Sequence, residues 1–229
     1  MVGFPTTSLA YYSSAAGAWA QLDFAAPGYA GVEHYNGRFY VAFGSRICVL
    51  EADGDAPAVI PLERIDDGDG ADDESELPGG SGRRVLETHL VECDGQLFLV
   101  SVRDDDMGGL AVDEGGSKGG GDARAVEVHR VEWLWDGRVR LVRETDLGRN
   151  ALFLGRNRAF ALSAAEFPAC RVNCVYLVDR QGHPDGVVRV LDLENPWACR
   201  EETICPDDAT GGSASSAGWA RRGWFFPNY

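Results

Sequence analysis

The chain has 229 residues, 45% of them hydrophobic, and a formal net charge of −15. Phosphate contacts need clustered basic side chains, and with only one lysine, Lys118, the chain is not expected to bind nucleic acid. It shows neither a signal peptide nor an apolar run of the roughly eighteen residues that would cross a membrane. We therefore expect a globular protein of the cytoplasm, the nucleus or both, without membrane contact.

Three hairpin signals recur along the first two thirds of the chain. Each is an Asn-Gly or Asp-Gly pair between apolar segments, a strong short-range signal for a tight turn. The pairs are Asn36-Gly37, Asp94-Gly95 and Asp136-Gly137. The second and third glycines are 42 residues apart, and the first two are 58 apart. Removing an acidic insertion of about seventeen residues from the longer interval leaves a period near forty, which is typical of four-stranded propeller blades.

Three segments rich in acidic residues or glycine interrupt this pattern, at about 53–82, 104–122 and 208–218. The first holds ten acidic residues against one base, Arg64, and so carries −9 of the net charge. Such a composition buries too little apolar surface to offset its ordering entropy. We predict flexible insertions here. The glycines of the second segment lack the Gly-Lys-Ser/Thr ending of a phosphate-binding loop.

The predicted strands are apolar on both sides. Residues 39–43 and 97–100 are continuous apolar runs, whereas a strand of a two-layer sandwich should alternate with polar residues. A parallel sheet with crossover helices would also bury both faces, but the chain offers no amphipathic helices of adequate length. The pattern predicts an all-β fold of antiparallel sheets packed between other sheets. We expect one domain over residues 1–229, an incomplete β-propeller of about three to four blades.

Residues 141–176 are the most informative segment. Strands at 151–154 and 159–162 flank the turn-prone Gly155-Arg156-Asn157 and predict a tight hairpin. A further strand is predicted at 172–178, apolar on both faces, with Asn173 as its only polar member. Between them, Ser163 and Glu166 form a capping box and Pro168 follows at once, which predicts one short helical connector.

With these residues, the chain resembles the C-terminal part of the plant F-box-associated β-propeller family, of the brassinosteroid-kinase-interacting type. The resemblance is carried by YNGRFYVAF, HLVECDGQLFLVSV, VEVHRVEW and the block from DLGRNALFLGRNRAFALSA to VNCVY, together with the ending GWARRGWFFPNY. It covers most of the chain outside the insertions. As structural members of this motif we assign Phe153, Leu154, Gly155, Arg156, Asn157, Cys174 and Tyr176.

The resemblance implies a non-enzymatic protein-interaction module. Full-length relatives often carry an N-terminal F-box that docks onto the Skp1 adaptor of an SCF-type ubiquitin ligase and recruits targets for ubiquitination. This sequence contains no F-box, so it gives no support for Skp1 docking. The expected partner is a protein, either a ubiquitination target or a kinase. Two alternatives stay open: a small-molecule hydrolase that uses a propeller channel, and a truncated duplicate without function.

The residues that could serve in catalysis or metal binding form no recognisable site. The four histidines lack metal-ligand spacing, and the six cysteines are dispersed in a chain large enough to need no disulfides. We expect reduced thiols, no metal, no cofactor and no catalytic residue. Asp179 and Asp192, at predicted strand ends, are the candidates to line a propeller channel, but they have no supporting constellation. The histidines are His34, His89, His129 and His183, and the cysteines are Cys48, Cys93, Cys170, Cys174, Cys199 and Cys205.

Aromatic residues give the better indication of a contact surface. Trp133 and Trp135 are two apart and are expected on one face of a strand, within the core between blades. The C-terminus combines tryptophan with arginine, the residue types that dominate interface hot spots. We predict a partner surface formed by Trp219, Arg221, Arg222 and Trp224.

Overall fold

A computed structural model describes the protein over residues 2–3, 9–14, 17–22, 31–43, 46–51, 57–65, 85–104, 124–155, 158–178, 187–194 and 199–203. Within these ranges the secondary structure is β-strand and turn. No described helix is long and apolar enough to cross a membrane. The chain divides into two compact units, residues 1–144 and 145–229, which are described separately.

The first unit contains three sheets. Sheet 1 has the order β1-β2-β3, sheet 2 the order β4-β5-β6-β7, and sheet 3 the order β8-β12-β11-β10-β9. All neighbours are antiparallel except the short β8, which runs parallel to β12. The strands are β1 (Val2–Gly3), β2 (Leu9–Ser13), β3 (Ala18–Leu22), β4 (Gly31–Tyr35), β5 (Arg38–Phe43), β6 (Arg46–Glu51), β7 (Ala58–Pro61), β8 (Arg64–Ile65), β9 (Val85–Cys93), β10 (Gln96–Asp104), β11 (Arg124–Trp133) and β12 (Val139–Glu144).

Two of the three predicted tight turns form as two-residue hairpins. Asn36 and Gly37 have φ of 48° and 77°, and Asp94 and Gly95 have φ of 50° and 72°. Two consecutive positive φ values define a type I′ turn, whose twist matches that of the flanking strands. Asn and Asp tolerate this left-handed region, and Gly adopts it without steric cost. These turns set the register of sheets 2 and 3.

The middle of the predicted apolar run in sheet 2, residues 40–42, is buried on both faces, whereas Phe39 at its start is 37% exposed. Tyr40 and Ala42 point toward sheet 3, where they join a core with Leu90 and Leu99. Val41, between them in sequence, points the other way and packs with Leu9 of sheet 1. Successive strand residues alternate in direction, so an apolar run serves two interfaces at once. The run from Leu97 to Val100 is also buried throughout, and its Leu97 and Leu99 belong to the core shared with sheet 2.

Strand β4 of sheet 2 and strand β9 of sheet 3 approach closely at Gly31. A Cβ atom on Gly31 would lie 2.8 Å from Leu90 N, 2.9 Å from His89 Cα and 3.0 Å from Thr88 O. All three atoms belong to the backbone of β9 and cannot rotate away. The missing side chain is therefore what permits this distance between the sheets.

Residues 57–65 differ from the sequence prediction. They were expected within a flexible insertion at about 53–82, but they form β7 and β8. Leu62 N donates to Ile47 O at 2.9 Å, and Val139 N donates to Glu63 O at 2.9 Å. The apolar run at 58–62 and Ile65 allow this pairing despite the acidic residues that follow. The rest of this insertion, nearly all of the one at 104–122, and the whole of 208–218 lie outside the described residues.

The second unit contains one mixed sheet of order β14-β13-β15-β16-β17. The predicted hairpin forms, with β13 antiparallel to β14, but β13 is parallel to β15, where an antiparallel sheet was expected. The chain crosses from β14 over a turn segment to the other side of β13, which produces the parallel pair. The strands are β13 (Asn150–Leu154), β14 (Phe160–Ser163), β15 (Cys174–Leu177), β16 (Val187–Asp192) and β17 (Cys199–Thr203).

Two local predictions for this segment were wrong. Val172 is 52% exposed and lies before β15, not on a buried strand face. The reason is Asn173, whose φ of 55° breaks the extended chain. The capping box at Ser163 yields a single hydrogen-bonded turn, not a helix: Glu166 N and Phe167 N donate to Ser163 O, and Ala165 N donates to Ser163 Oγ. Pro168 follows too soon for a second turn.

Candidate protein-interaction surface

Three turns meet at one edge of the first unit. Tyr35 at the end of β4 donates its hydroxyl hydrogen bond to Gly95 O at 2.8 Å, which joins the turns after β4 and β9. Trp133 at the end of β11 contacts Tyr40, with ring centroids 5.2 Å apart and planes at 51°. Tyr40 in turn lies 6.3 Å from Tyr35, measured between ring centroids. A continuous aromatic path therefore leads from the core to this edge.

The loop between β11 and β12 projects from the same edge. We call residues 133–138 the tryptophan hairpin. Gly137 N donates to Leu134 O at 3.1 Å and Leu134 N donates to Arg138 O at 2.9 Å. With φ of 85° at Gly137, this is a type I turn followed by a bulge, not the two-residue turn of the other hairpins.

The tryptophan hairpin is held in a defined conformation. Asp136 Oδ1 accepts from Arg138 N at 3.1 Å, and Asp136 Oδ2 accepts from Arg138 Nε at 2.7 Å. These hydrogen bonds hold the pKa of the Asp136 carboxyl below its ordinary value. The carboxylate is ionised at neutral pH and can keep this pairing, which favours one conformation of the loop before a partner binds.

Trp135 occupies the tip of this loop and is 97% exposed, while Trp133 at its base is 39% exposed. The prediction that both rings lie on one strand face within the core was wrong. Trp133 ends the strand, and Trp135 belongs to the turn. The signal for this was present in the sequence: Trp135 directly precedes Asp136-Gly137 and therefore lies in the turn itself. A fully exposed tryptophan on an ordered loop has the properties of an interface hot spot.

The assigned family-motif residues are structural in the second unit. Phe153 of β13 and Tyr176 of β15 are paired in register, and their rings stack 4.6 Å apart at 6°. Leu154 and Cys174 are buried beside them, as is Gly155. The Tyr176 hydroxyl accepts from Arg171 N at 2.9 Å. Arg156 and Asn157 lie outside the described residues.

The predicted partner surface of Trp219, Arg221, Arg222 and Trp224 also lies outside the described residues. It stays a prediction. Of the two aspartates weighed for a channel, Asp179 is outside the described ranges as well. Asp192 Oδ1 accepts from Glu194 N at 2.9 Å and so caps a turn.

The described histidines and cysteines occupy separate environments. His89 and Glu87 form a pair at 3.2 Å, both nearly fully buried, whereas His34 is exposed. Cys48, Cys93, Cys170 and Cys174 form no disulfide with one another, and burial raises the pKa of Cys93 to about 11. A thiol with this pKa is a poor nucleophile. Within the described ranges, no three His, Cys, Asp or Glu side chains are grouped so as to hold a metal ion.

His129 gives the first unit a pH dependence. Burial lowers its pKa from 6.5; Glu127 opposes this, while Arg64, Arg143 and Arg103 add to the lowering. The unfolded chain then binds the proton more readily, so the stability from neutral His129 is present above about pH 6.5 and is lost as the pH falls.

We expect His129→Gln to reduce the loss of unfolding free energy between pH 7 and 5, measured by urea denaturation. Equal profiles for the wild type and His129→Gln would contradict the prediction.

Sheets stacked face to face over shared apolar cores define an all-β protein of the propeller class. The family model described as KIB1-4 beta-propeller matches residues 1–199, and the chain belongs to this family. The predicted family and the predicted all-β propeller fold are thereby confirmed. No curated protein matches the chain.

Proposed function

We propose that the protein is a non-enzymatic interaction module that binds another protein in the cytoplasm, the nucleus or both, and that it is related to the substrate-recruiting subunits of SCF-type ubiquitin ligases. Membership in the KIB1-4 beta-propeller family supports the general role of protein interaction. The partner class, a ubiquitination target or a kinase, comes from the resemblance of the sequence to F-box-associated propellers.

The observation that supports this proposal most directly is Trp135. Removing an indole from water costs little because most of its surface is apolar. A partner that encloses the Trp135 ring would bury on the order of 200 Å² of apolar surface. The Asp136–Arg138 pair orders the loop, with Arg138 Nη2 2.6 Å from Asp136 Oδ2, so little conformational entropy is lost on binding. A protruding ring also specifies the partner's shape: it must offer a concave apolar pocket.

The hydrolase alternative requires convergent polar groups with a pair poised for proton transfer. Among the described residues, the histidines and cysteines lie in separate environments and Asp192 caps a turn, which favours the interaction role. The alternative of a functionless duplicate makes a different prediction, namely that no variant of the exposed edge alters any interaction.

We expect Trp135→Ala to abolish partner capture while leaving stability within about 0.5 kcal/mol of the wild type, because the side chain is exposed. Loss of a hot-spot tryptophan should weaken binding by 2 kcal/mol or more, about thirtyfold. The measurement is quantitative mass spectrometry of proteins captured from plant extract on purified wild-type and variant chains, with urea denaturation of each.

Val172→Ala is the matched control, since Val172 is a second exposed apolar residue, 52% accessible and located in the other unit. Proteins retained by wild type and Val172→Ala but lost with Trp135→Ala are the candidate partners. Each should then show lower ubiquitination in cells that express Trp135→Ala. Unchanged capture would contradict the assignment of Trp135 to the binding surface. Unchanged ubiquitination would contradict the recruiting role.

A further inference from the structure

The edge strands of the first unit differ in how they are protected against pairing with another chain. An exposed strand edge offers free backbone donors and acceptors, and proteins blunt such edges with proline, charge or cover. In sheet 2, the edge strand β7 ends with Pro61. In sheet 3, β8 covers part of β12, and β12 carries Arg140, Arg143 and Glu144.

Strand β3 has none of these protections. It reads AWAQL, pairs with β2 alone among the described strands, and is exposed at four of its five residues. The described part of sheet 1 outside β1, residues 9–14 and 17–22, contains no charged residue. Yet the whole chain has 57 charged residues, 21 basic and 36 acidic. An uncharged, proline-free, exposed edge is a template for an added strand.

The outer face of sheet 1 would contribute side-chain contacts to such a strand. Leu9 and Leu22 pair across β2 and β3 and face the core shared with sheet 2. Tyr12 and Trp19 pair on the opposite face, with ring centroids 5.6 Å apart. They are 53% and 57% exposed. A strand added beside β3 places alternate side chains next to Trp19, where cross-strand aromatic contacts stabilise pairing.

We propose that β3 binds an extended, positively charged segment of a partner protein by strand addition. The backbone edge requires an extended segment, because it presents donors and acceptors at strand spacing. The net charge of −15 attracts a basic segment and repels a second copy of the same chain. This surface is separate from the tryptophan hairpin, and the proposal is independent of the recruiting role.

The test uses the full chain and a blocked peptide, Lys-Thr-Val-Thr-Val-Thr-Val-Thr-Lys, monitored by hydrogen exchange and by titration calorimetry. We expect slower amide exchange at 18–22 when the peptide is present. The same peptide N-methylated at alternate residues lacks strand donors and should not bind. Gln21→Lys adds a like charge on the outer face of β3 and should weaken peptide binding about fivefold.

Ile60→Lys is the matched control, since it adds the same charge to the edge strand β7, where Ile60 is 39% exposed. It should leave the affinity unchanged. The proposal is overturned if the peptide gives no protection at 18–22 at millimolar concentration, or if the N-methylated peptide binds equally well. Protection that appears without peptide and rises with protein concentration would instead identify a second copy as the occupant, and this also overturns it. The Trp135→Ala variant should bind the peptide with the affinity of the wild type, because the tryptophan hairpin is a separate surface.

Discussion

Gly31→Ala is expected to destabilise the first unit by about 2–3 kcal/mol, the cost of forcing extra volume into a close-packed interface. The added Cβ would approach three backbone atoms of β9 within 3.0 Å. Backbone cannot change rotamer, so the two sheets must separate, and the core between them, which includes Leu90 and Leu99, must loosen with them. Urea denaturation followed by tryptophan fluorescence measures the change.

Gly37→Ala is the control for this substitution. A Cβ at Gly37 meets no atom within 4 Å, so only its φ of 77° opposes alanine. The expected cost is about 1 kcal/mol from left-handed backbone strain. If Gly31→Ala costs no more than Gly37→Ala, the sheets are not in contact at this position.

Asn173→Ala is expected to destabilise the second unit by about 3 kcal/mol. Asn173 is 5% exposed; its Oδ1 accepts from Leu147 N at 2.9 Å, and its Nδ2 donates to Thr145 O at 3.1 Å. Alanine leaves the buried Leu147 N–H without this acceptor, which costs about 1–3 kcal/mol. It also occupies a left-handed position, φ 55°, at a further 1–2 kcal/mol or so.

Two control variants separate these contributions, with urea denaturation as the measurement. Asn173→Gly adopts the left-handed conformation freely, so its loss of stability reports the side-chain hydrogen bonds. Val172→Ala, at the exposed neighbouring residue, should change stability by less than about 0.5 kcal/mol. Wild-type stability in Asn173→Gly would show that the carboxamide contacts contribute nothing.

The stacked architecture could be predicted from the sequence because its signals are local. Asn36-Gly37 and Asp94-Gly95 specify type I′ turns within two residues, and the apolar runs at 39–43 and 97–100 indicate burial on both faces. Each signal depends only on backbone sterics and alternation along a strand. The family motif at Phe153 and Tyr176 likewise fell in the predicted core.

The remaining features depend on contacts between segments distant in the chain. Asn173 looked like a polar interruption of a strand, yet its side chain bonds residues 145 and 147, which no local pattern indicates. The parallel pairing of β13 with β15 depends on how the chain returns after Pro168. Trp135 was misplaced for a different reason: hydrophobicity suggested burial, while its position before Asp136-Gly137 placed it in solvent.

The segment from β7 to β8 ties two sheets into one cooperative element. Within eight residues it hydrogen-bonds first to Ile47 of sheet 2 and then, through Glu63, to Val139 of sheet 3. Neither sheet can separate from the other without breaking a hydrogen bond that this segment makes. Hydrogen-exchange protection across sheets 2 and 3 should therefore disappear in a single step, as in one foldon.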